Sequence, residues 1–192
     1  MALQQLCREI RRCTLCSDFL PLGPNPVFAA GRDAKILVAG QAPGIRVHDT
    51  GVPFNDPSGD RLREWMGVDR ETFYDSGKIA LVPMGFCYPG TGKSGDLPPR
   101  PECAATWRQP LLDQLVHVSL ILAIGQYAIK WHLGRTRKPT LAETVKCWRD
   151  YGPQVLPLPH PSPRNNIWLK KNSWFEEEVI PRLQERVKNQ LN

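Results

Sequence analysis

The chain has 192 residues, of which 41% are hydrophobic and 23% charged, the proportions of a soluble domain with a sizeable core. No apolar run nears the length of a membrane span, and the opening MALQQLCREIRRC has no signal-peptide core, so a cytoplasmic protein is expected. A net charge of +6 is compatible with a polyanionic partner without specifying one.

Residues 2–12 read as a short helix with a basic side, ending in the CxxC of Cys13 and Cys16. A loop containing PLGPNP leads to a first strand at 35–39. A long Gly/Pro loop is expected over 40–58, then a helix over 59–67 with Leu62, Trp65 and Met66 on one face. KIALVPM (78–84) is the second strand and 85–100 another long loop. Pro101 opens a helix over 101–115, since proline suits a first helical turn. VSLILAIG (118–125) is a third strand, apolar throughout and so buried on both faces. A helix at 126–133, a fourth strand at 155–158 and a closing helix at 166–188 complete the order. Pro181 is expected to kink or split the last helix. Alternating strands and helices predict an α/β fold: a three-layer sandwich with a central, mainly parallel four-stranded sheet, as a single domain over 1–192.

Two strand ends carry special loops. Ile36–Gly44 (ILVAGQAPG) is an apolar run ending in a Gly/Pro turn. Val155–Asn166 (VLPLPHPSPRNN) ends in three prolines around one serine, with His160 at the start. Proline stiffens such a loop, and a stiff loop at a strand end holds an imidazole still. One site at the carboxyl edge of a parallel sheet would use both loops.

Paired cysteines in a cytosolic chain point to metal or redox chemistry before disulfides. Cys13 and Cys16, with Cys87 and Cys103 sixteen residues apart, form a two-plus-one-plus-one set. Four such thiolates can ligate a [4Fe–4S] cluster or, as the alternative, Zn²⁺; a redox pair with two core cysteines is the plainer option. Cys7 and Cys147 read as structural or free thiols.

Together these features resemble the uracil-DNA glycosylase superfamily, most of all its iron–sulfur branch. Gly40-Gln41-Ala42-Pro43-Gly44 and Gly51-Val52-Pro53-Phe54 are similar in order and spacing to that branch's GEAPG and GRPF segments. His160-Pro161-Ser162-Pro163-Arg164-Asn165 resembles the superfamily's HPS-containing loop. The four cysteines match the spacing of the branch's cluster ligands. The resemblance implies a DNA repair glycosylase that flips a damaged base out of DNA and hydrolyses its N-glycosidic bond, leaving an abasic site. Three departures stand out: Gln41 for glutamate, Val47-His48 for an acidic pair, and Pro83 where the base-reading asparagine sits.

The implied roles are concrete. His160 donates a hydrogen bond to the carbonyl oxygen that gains negative charge on the leaving base. Gln41 orients water, and Asp56 is the preferred nearby carboxylate, ahead of Asp49. Ala42, Pro43, Phe54 and Pro83 line the base pocket, with Phe54 stacking on the base. Ser162, Arg164 and Asn165 meet the DNA, with Arg164 filling the gap left by the flipped base or pinning the backbone. Lys93, Arg100, Arg135, Arg137 and Lys138 are further phosphate contacts or simply a solvated face. DNA is the expected partner, a monomer the expected state, and uracil or another deaminated base, including a deaminated purine, the expected substrate. An inert DNA-binding or damage-sensing protein with a structural metal centre is the alternative.

Overall fold

The computed structural model describes residues 2–93 and 95–192. In chain order its helices are α1 (Leu3–Arg11), α2 (Ile45–Thr50), α3 (Pro57–Met66), α4 (Arg70–Tyr74), α5 (Pro101–Cys103), α6 (Gln109–Leu112), α7 (Gly125–Leu133), α8 (Leu141–Lys146), α9 (Asn166–Lys171) and α10 (Ile180–Leu191). Its strands are β1 (Ile36–Ala39), β2 (Ile79–Leu81), β3 (Thr91–Gly92), β4 (Gly95–Asp96), β5 (Leu120–Ile124) and β6 (Val155–Leu158). β2, β1, β5 and β6 form one parallel sheet in that order, and β3 and β4 a separate antiparallel pair. Ile36 lies opposite Ile79 on one side and Leu120 on the other, and Leu122 opposite Leu156. Helices flank the sheet, giving the α/β sandwich that the alternating pattern predicts.

β1 is buried at every residue, which suits the middle of a parallel sheet covered on both faces. The outer edge of β2 is covered too: Ala29 and Leu81 exchange both backbone hydrogen bonds, at 3.0 and 2.8 Å. An edge strand left open would template pairing with another chain. α3 shows how local sequence sets an element. Asp56 accepts a hydrogen bond from the Gly59 N–H at 2.9 Å as N-cap, Pro57 follows, and Gly67 ends the helix at φ +65°. Leu62, Trp65 and Met66 are buried together, as their spacing predicts.

Four expectations are corrected. The stretch 40–58 is not all loop, because α2 occupies Ile45–Thr50 and Gly51 ends it at φ +66°. The stretch 85–100 contains the β3–β4 pair. The segment from Pro101 is helical only to Leu112, with a wide π turn over Ala104–Arg108. The closing helix breaks at Asn172, well before Pro181, and Pro181 instead follows a second π turn over Phe175–Val179. Pro110 and Pro181 each come two residues after a π turn. A proline lacks an N–H and its ring crowds the carbonyl four residues back, which a widened turn relieves. α8 is not among the expected elements, although Thr140 and Glu143 form a reciprocal capping box.

One polar cluster lies within the core. Arg108 is 0% exposed; its guanidinium donates to the carbonyls of Val82 (2.8 Å) and Pro83 (3.0 Å) and meets His132 Nε2 at 2.7 Å. Burial, with the guanidinium beside it, pushes the His132 pKa down to about 3. The folded chain therefore keeps His132 neutral where the unfolded chain protonates it below the ordinary 6.5. The resulting stability is complete above 6.5 and is lost as pH falls toward the folded value. Between pH 7 and 5 the loss due to this group is about 2 kcal/mol. Chemical denaturation at both pH values is expected to show a smaller loss in His132→Gln than in the parent chain; an equal loss in both would remove His132 from the account.

Candidate active site

The sheet order places β1 and β5 side by side with their chains leaving in opposite directions, the arrangement that opens a crevice at the carboxyl edge of a parallel sheet. A cleft of about 460 Å³ lies there. Its lining includes Gln41, Ala42 and Pro43 from the loop after β1, Phe54 and Asp56 before α3, and Pro83 after β2. From the loop after β6 come His160, Ser162, Arg164 and Asn165. Every residue expected at the catalytic, base-binding and DNA-binding positions is therefore on one cleft.

Phe54 has φ +54°, a left-handed backbone that a bulky residue adopts only under constraint. The strain is worth about 1–3 kcal/mol. Two glycines make room for this conformation. A Cβ on Gly59 would lie 1.7 Å from the Phe54 carbonyl oxygen, and one on Gly40 would lie 3.0 Å from the tip of the Phe54 ring. Phe73 stacks edge-on against the same ring at 6.1 Å. The aromatic wall is thus locked by α3, by the loop after β1 and by α4 together.

The loop at 160–165 is held as firmly. The Ser162 N–H donates to His160 Nδ1 at 3.2 Å, so Nδ1 is the acceptor and the proton of the neutral ring sits on Nε2. Burial lowers the His160 pKa from its ordinary value, and the negative charges of Asp56 and Asp96 oppose that shift. Asn165 Nδ2 donates to the His160 carbonyl at 2.7 Å, and the Ser162 hydroxyl accepts from the Arg164 N–H at 3.2 Å. Asn165 and Ser162 therefore hold the loop's shape as well as lining the cleft. The guanidinium of Arg164 lies over the bare backbone of Gly95, across the cleft mouth on β4.

Asp56 spends one carboxylate oxygen on capping α3. Gln41 reaches the Leu97 carbonyl at 3.3 Å, which ties the loop after β1 to the β3–β4 pair. Pro83 is buried and offers the cleft an apolar ring with no hydrogen-bonding side chain. Among the expected phosphate contacts, Arg100 pairs with Glu102 (2.6 Å), Lys138 with Asp150 (2.9 Å), and Arg137 bonds the Gly134 carbonyl.

Several residues of the site are not among those the sequence points to. Ser58, Asp96 and Gln126 line the cleft, and Arg61 donates to the carbonyls of Pro161 (3.3 Å) and Ser162 (3.2 Å). Gln126 lies two residues past the end of β5, so the rule that sites gather at strand ends would have found it. Arg61 carries no local signal, because its partners lie a hundred residues away.

A second cavity lies beside the cleft loops. Cys13, Cys16, Cys87 and Cys103 all line it, with Ile10, Leu20, Phe86 and Trp107 around them. Two sulfurs accept hydrogen bonds: Cys13 from Trp107 Nε1 at 3.1 Å, and Cys103 from the Phe86 N–H at 3.3 Å. Burial pushes the Cys87 thiol up to about 11 and the Cys103 thiol up to about 12, so both stay protonated near neutrality unless a cation holds the thiolate. Among the described residues no three His, Cys, Asp or Glu side chains are gathered closely enough for a single ion. Cys7 is buried in α1, and Cys147 ends α8 away from the cavity.

Fold and site define an α/β protein with an open, half-polar cleft across the carboxyl edge of its sheet. Residues 27–184 match the sequence model of the Uracil DNA glycosylase superfamily, and the chain belongs to that family. Its members are DNA glycosylases, hydrolases that act on damaged bases in DNA. Among the described residues no helix is long and apolar enough to cross a membrane.

Arg61→Met should release the loop at 160–165 without touching the cleft surface. The expected result is a roughly tenfold lower single-turnover rate, with DNA affinity and melting temperature near the parent values. A rate equal to the parent's would show that the loop holds His160 without this clamp.

Proposed function

We propose that the chain is a monofunctional DNA glycosylase that removes uracil or another deaminated base from DNA and leaves an abasic site. The observation that carries this reading is the hydrogen bond from the Ser162 N–H to His160 Nδ1, which makes the ring a neutral donor through Nε2. The C1′–N bond breaks with its electron pair passing to the base, and charge builds on a base carbonyl oxygen. A neutral donor already aimed at that oxygen stabilises the charge as it forms. Water then bonds C1′ through its oxygen and loses a proton to solvent. The sugar cation develops before water attacks, so no strong base is required. Gln41 and the uncommitted oxygen of Asp56 orient the water.

Phe54 supplies the face on which a flipped base stacks, a contact worth roughly 1–3 kcal/mol. Pro83 shapes the floor without reading a hydrogen-bonding edge, and this supports a substrate range broader than uracil, extending to deaminated purines. Ser162, Arg164 and Asn165 meet the DNA backbone at the cleft mouth. The protein is proposed to act as a monomer in the cytoplasm.

We further propose that Cys13, Cys16, Cys87 and Cys103 hold a [4Fe–4S] cluster. Their shared cavity and the N–H donors to two of the sulfurs support this, with zinc as the alternative occupant. Bound there, the cluster would supply thiolate cross-links between the N-terminal segment, the loop after β2 and the end of α5.

The test is a panel of labelled oligonucleotides bearing uracil, hypoxanthine or xanthine, treated with the protein and then with hot alkali. Strand scission at one or more of these bases is expected, and His160→Ala should lose about 10²–10³ in rate while still shifting DNA in a gel. The parent rate should stay flat through neutral pH and fall on the acid side only below the ordinary imidazole range, because burial lowers the His160 pKa. DNA binding with no scission at any base would establish the inert binder instead. For the cysteines, Cys103→Ala should lower bound iron and melting temperature together, and Cys147→Ala neither. Stoichiometric zinc in a colourless protein would overturn the cluster.

A further inference from the structure

Arg108 is the largest side chain buried completely, and among the described residues no carboxylate pairs with it. Among the described residues its Nε is also buried without a partner. A buried guanidinium without a counter-ion is costly, and neutral donors suffice to hold carbonyl groups. What Arg108 holds is specific: two consecutive carbonyls, Val82 and Pro83, at the point where β2 becomes the cleft floor. Pro83 has no N–H, so the backbone ladder there is limited to Val82 N–H to Val38 (3.0 Å) and Met84 N–H to Gly40 (2.9 Å). The guanidinium is fixed from its other side by the Trp131 ring at 5.7 Å and by His132. His132 meets it as a neutral acceptor and does not cancel its charge.

We propose that Arg108 is a positioning residue of the base pocket that also sets a buried positive charge behind the leaving base. This rests on the glycosylase reading above. The charge lies one residue behind the floor, in a dry interior where an electrostatic field reaches further than it does in water. The leaving base becomes negative as the glycosidic bond breaks, so the attraction is greater in the transition state than in the bound substrate. The π turn over Ala104–Arg108 gives this residue its place. It carries Trp107 to the sulfur of Cys13 and the next residue, Arg108, to Pro83.

The experiment compares single-turnover cleavage of a pair of bases with different leaving ability. The pair is uracil and its more acidic 5-fluoro derivative, or hypoxanthine and the more acidic xanthine if a purine is preferred. Arg108→Gln and Arg108→Met remove the charge, and using both keeps a neutral arm if one folds poorly. Arg108→Lys keeps the charge and loses the fork. The neutral variants should slow the poorer leaving group by roughly 10–100-fold and the better one by clearly less, raising the ratio between them. The lysine variant should be slower on both with the parent ratio. Equal slowing of both bases by the neutral variants, or a raised ratio in the lysine variant, overturns the charge role. Unchanged rates in every variant overturn the inference entirely. A parent protein that cleaves no base in the panel overturns the glycosylase reading and this inference with it.

Discussion

The cleft depends on one strained residue. Phe54 sits in a left-handed conformation, and Gly59 and Gly40, lacking a Cβ, let its carbonyl and its ring pack against them. The strain is offset within the same few residues: Asp56 caps α3, Pro57 starts it without wasting a donor, and Phe73 packs on the ring. α3 then carries Arg61 to the carbonyls of Pro161 and Ser162. A single helix start thereby fixes the aromatic wall and steadies the loop that presents the imidazole. The two walls of the cleft cannot drift independently.

The site's electrostatics follow from burial. His160 is kept neutral by its surroundings and keyed to one tautomer by a backbone N–H, so it is ready to donate without first taking up a proton. Arg108 is the opposite case, a buried cation that no carboxylate pairs with among the described residues, with the Cys103 sulfur as the acidic group whose charge acts on it. Burial pushes its pKa down to about 9, which still leaves it charged near neutrality. In the proposed reaction, a neutral donor within the cleft and a fixed cation behind its floor would both favour a base that leaves as an anion. The cysteine cavity is joined to this arrangement through the π turn that carries Trp107 and Arg108 on adjacent residues.

Much of the fold was legible in the chain. Each of the four sheet strands lies inside the expected range, because short apolar runs bounded by glycine and proline have few alternatives in a buried sheet. The breaks and short elements were harder. α2 hides in a Gly/Pro loop because it has no side-chain cap, and the closing helix breaks at Asn172 where periodicity gave no warning. α8 is different: its capping box was in plain view at Thr140 and Glu143.

The residue sequence by itself determined which chemistry-bearing side chains exist and which loops present them. The stiff turn around His160, the Gly/Pro turn after β1 and the four cysteines are local features, and local features survive in one dimension. Only tertiary structure decided how those side chains are used. Asn165 and Ser162 brace their own loop, Asp56 caps a helix, Arg61 clamps a turn a hundred residues away, and Arg108 supports the floor from behind. The physical reason is that a hydrogen-bonding group takes whichever partner the fold brings within about 3 Å, and sequence spacing does not encode that distance.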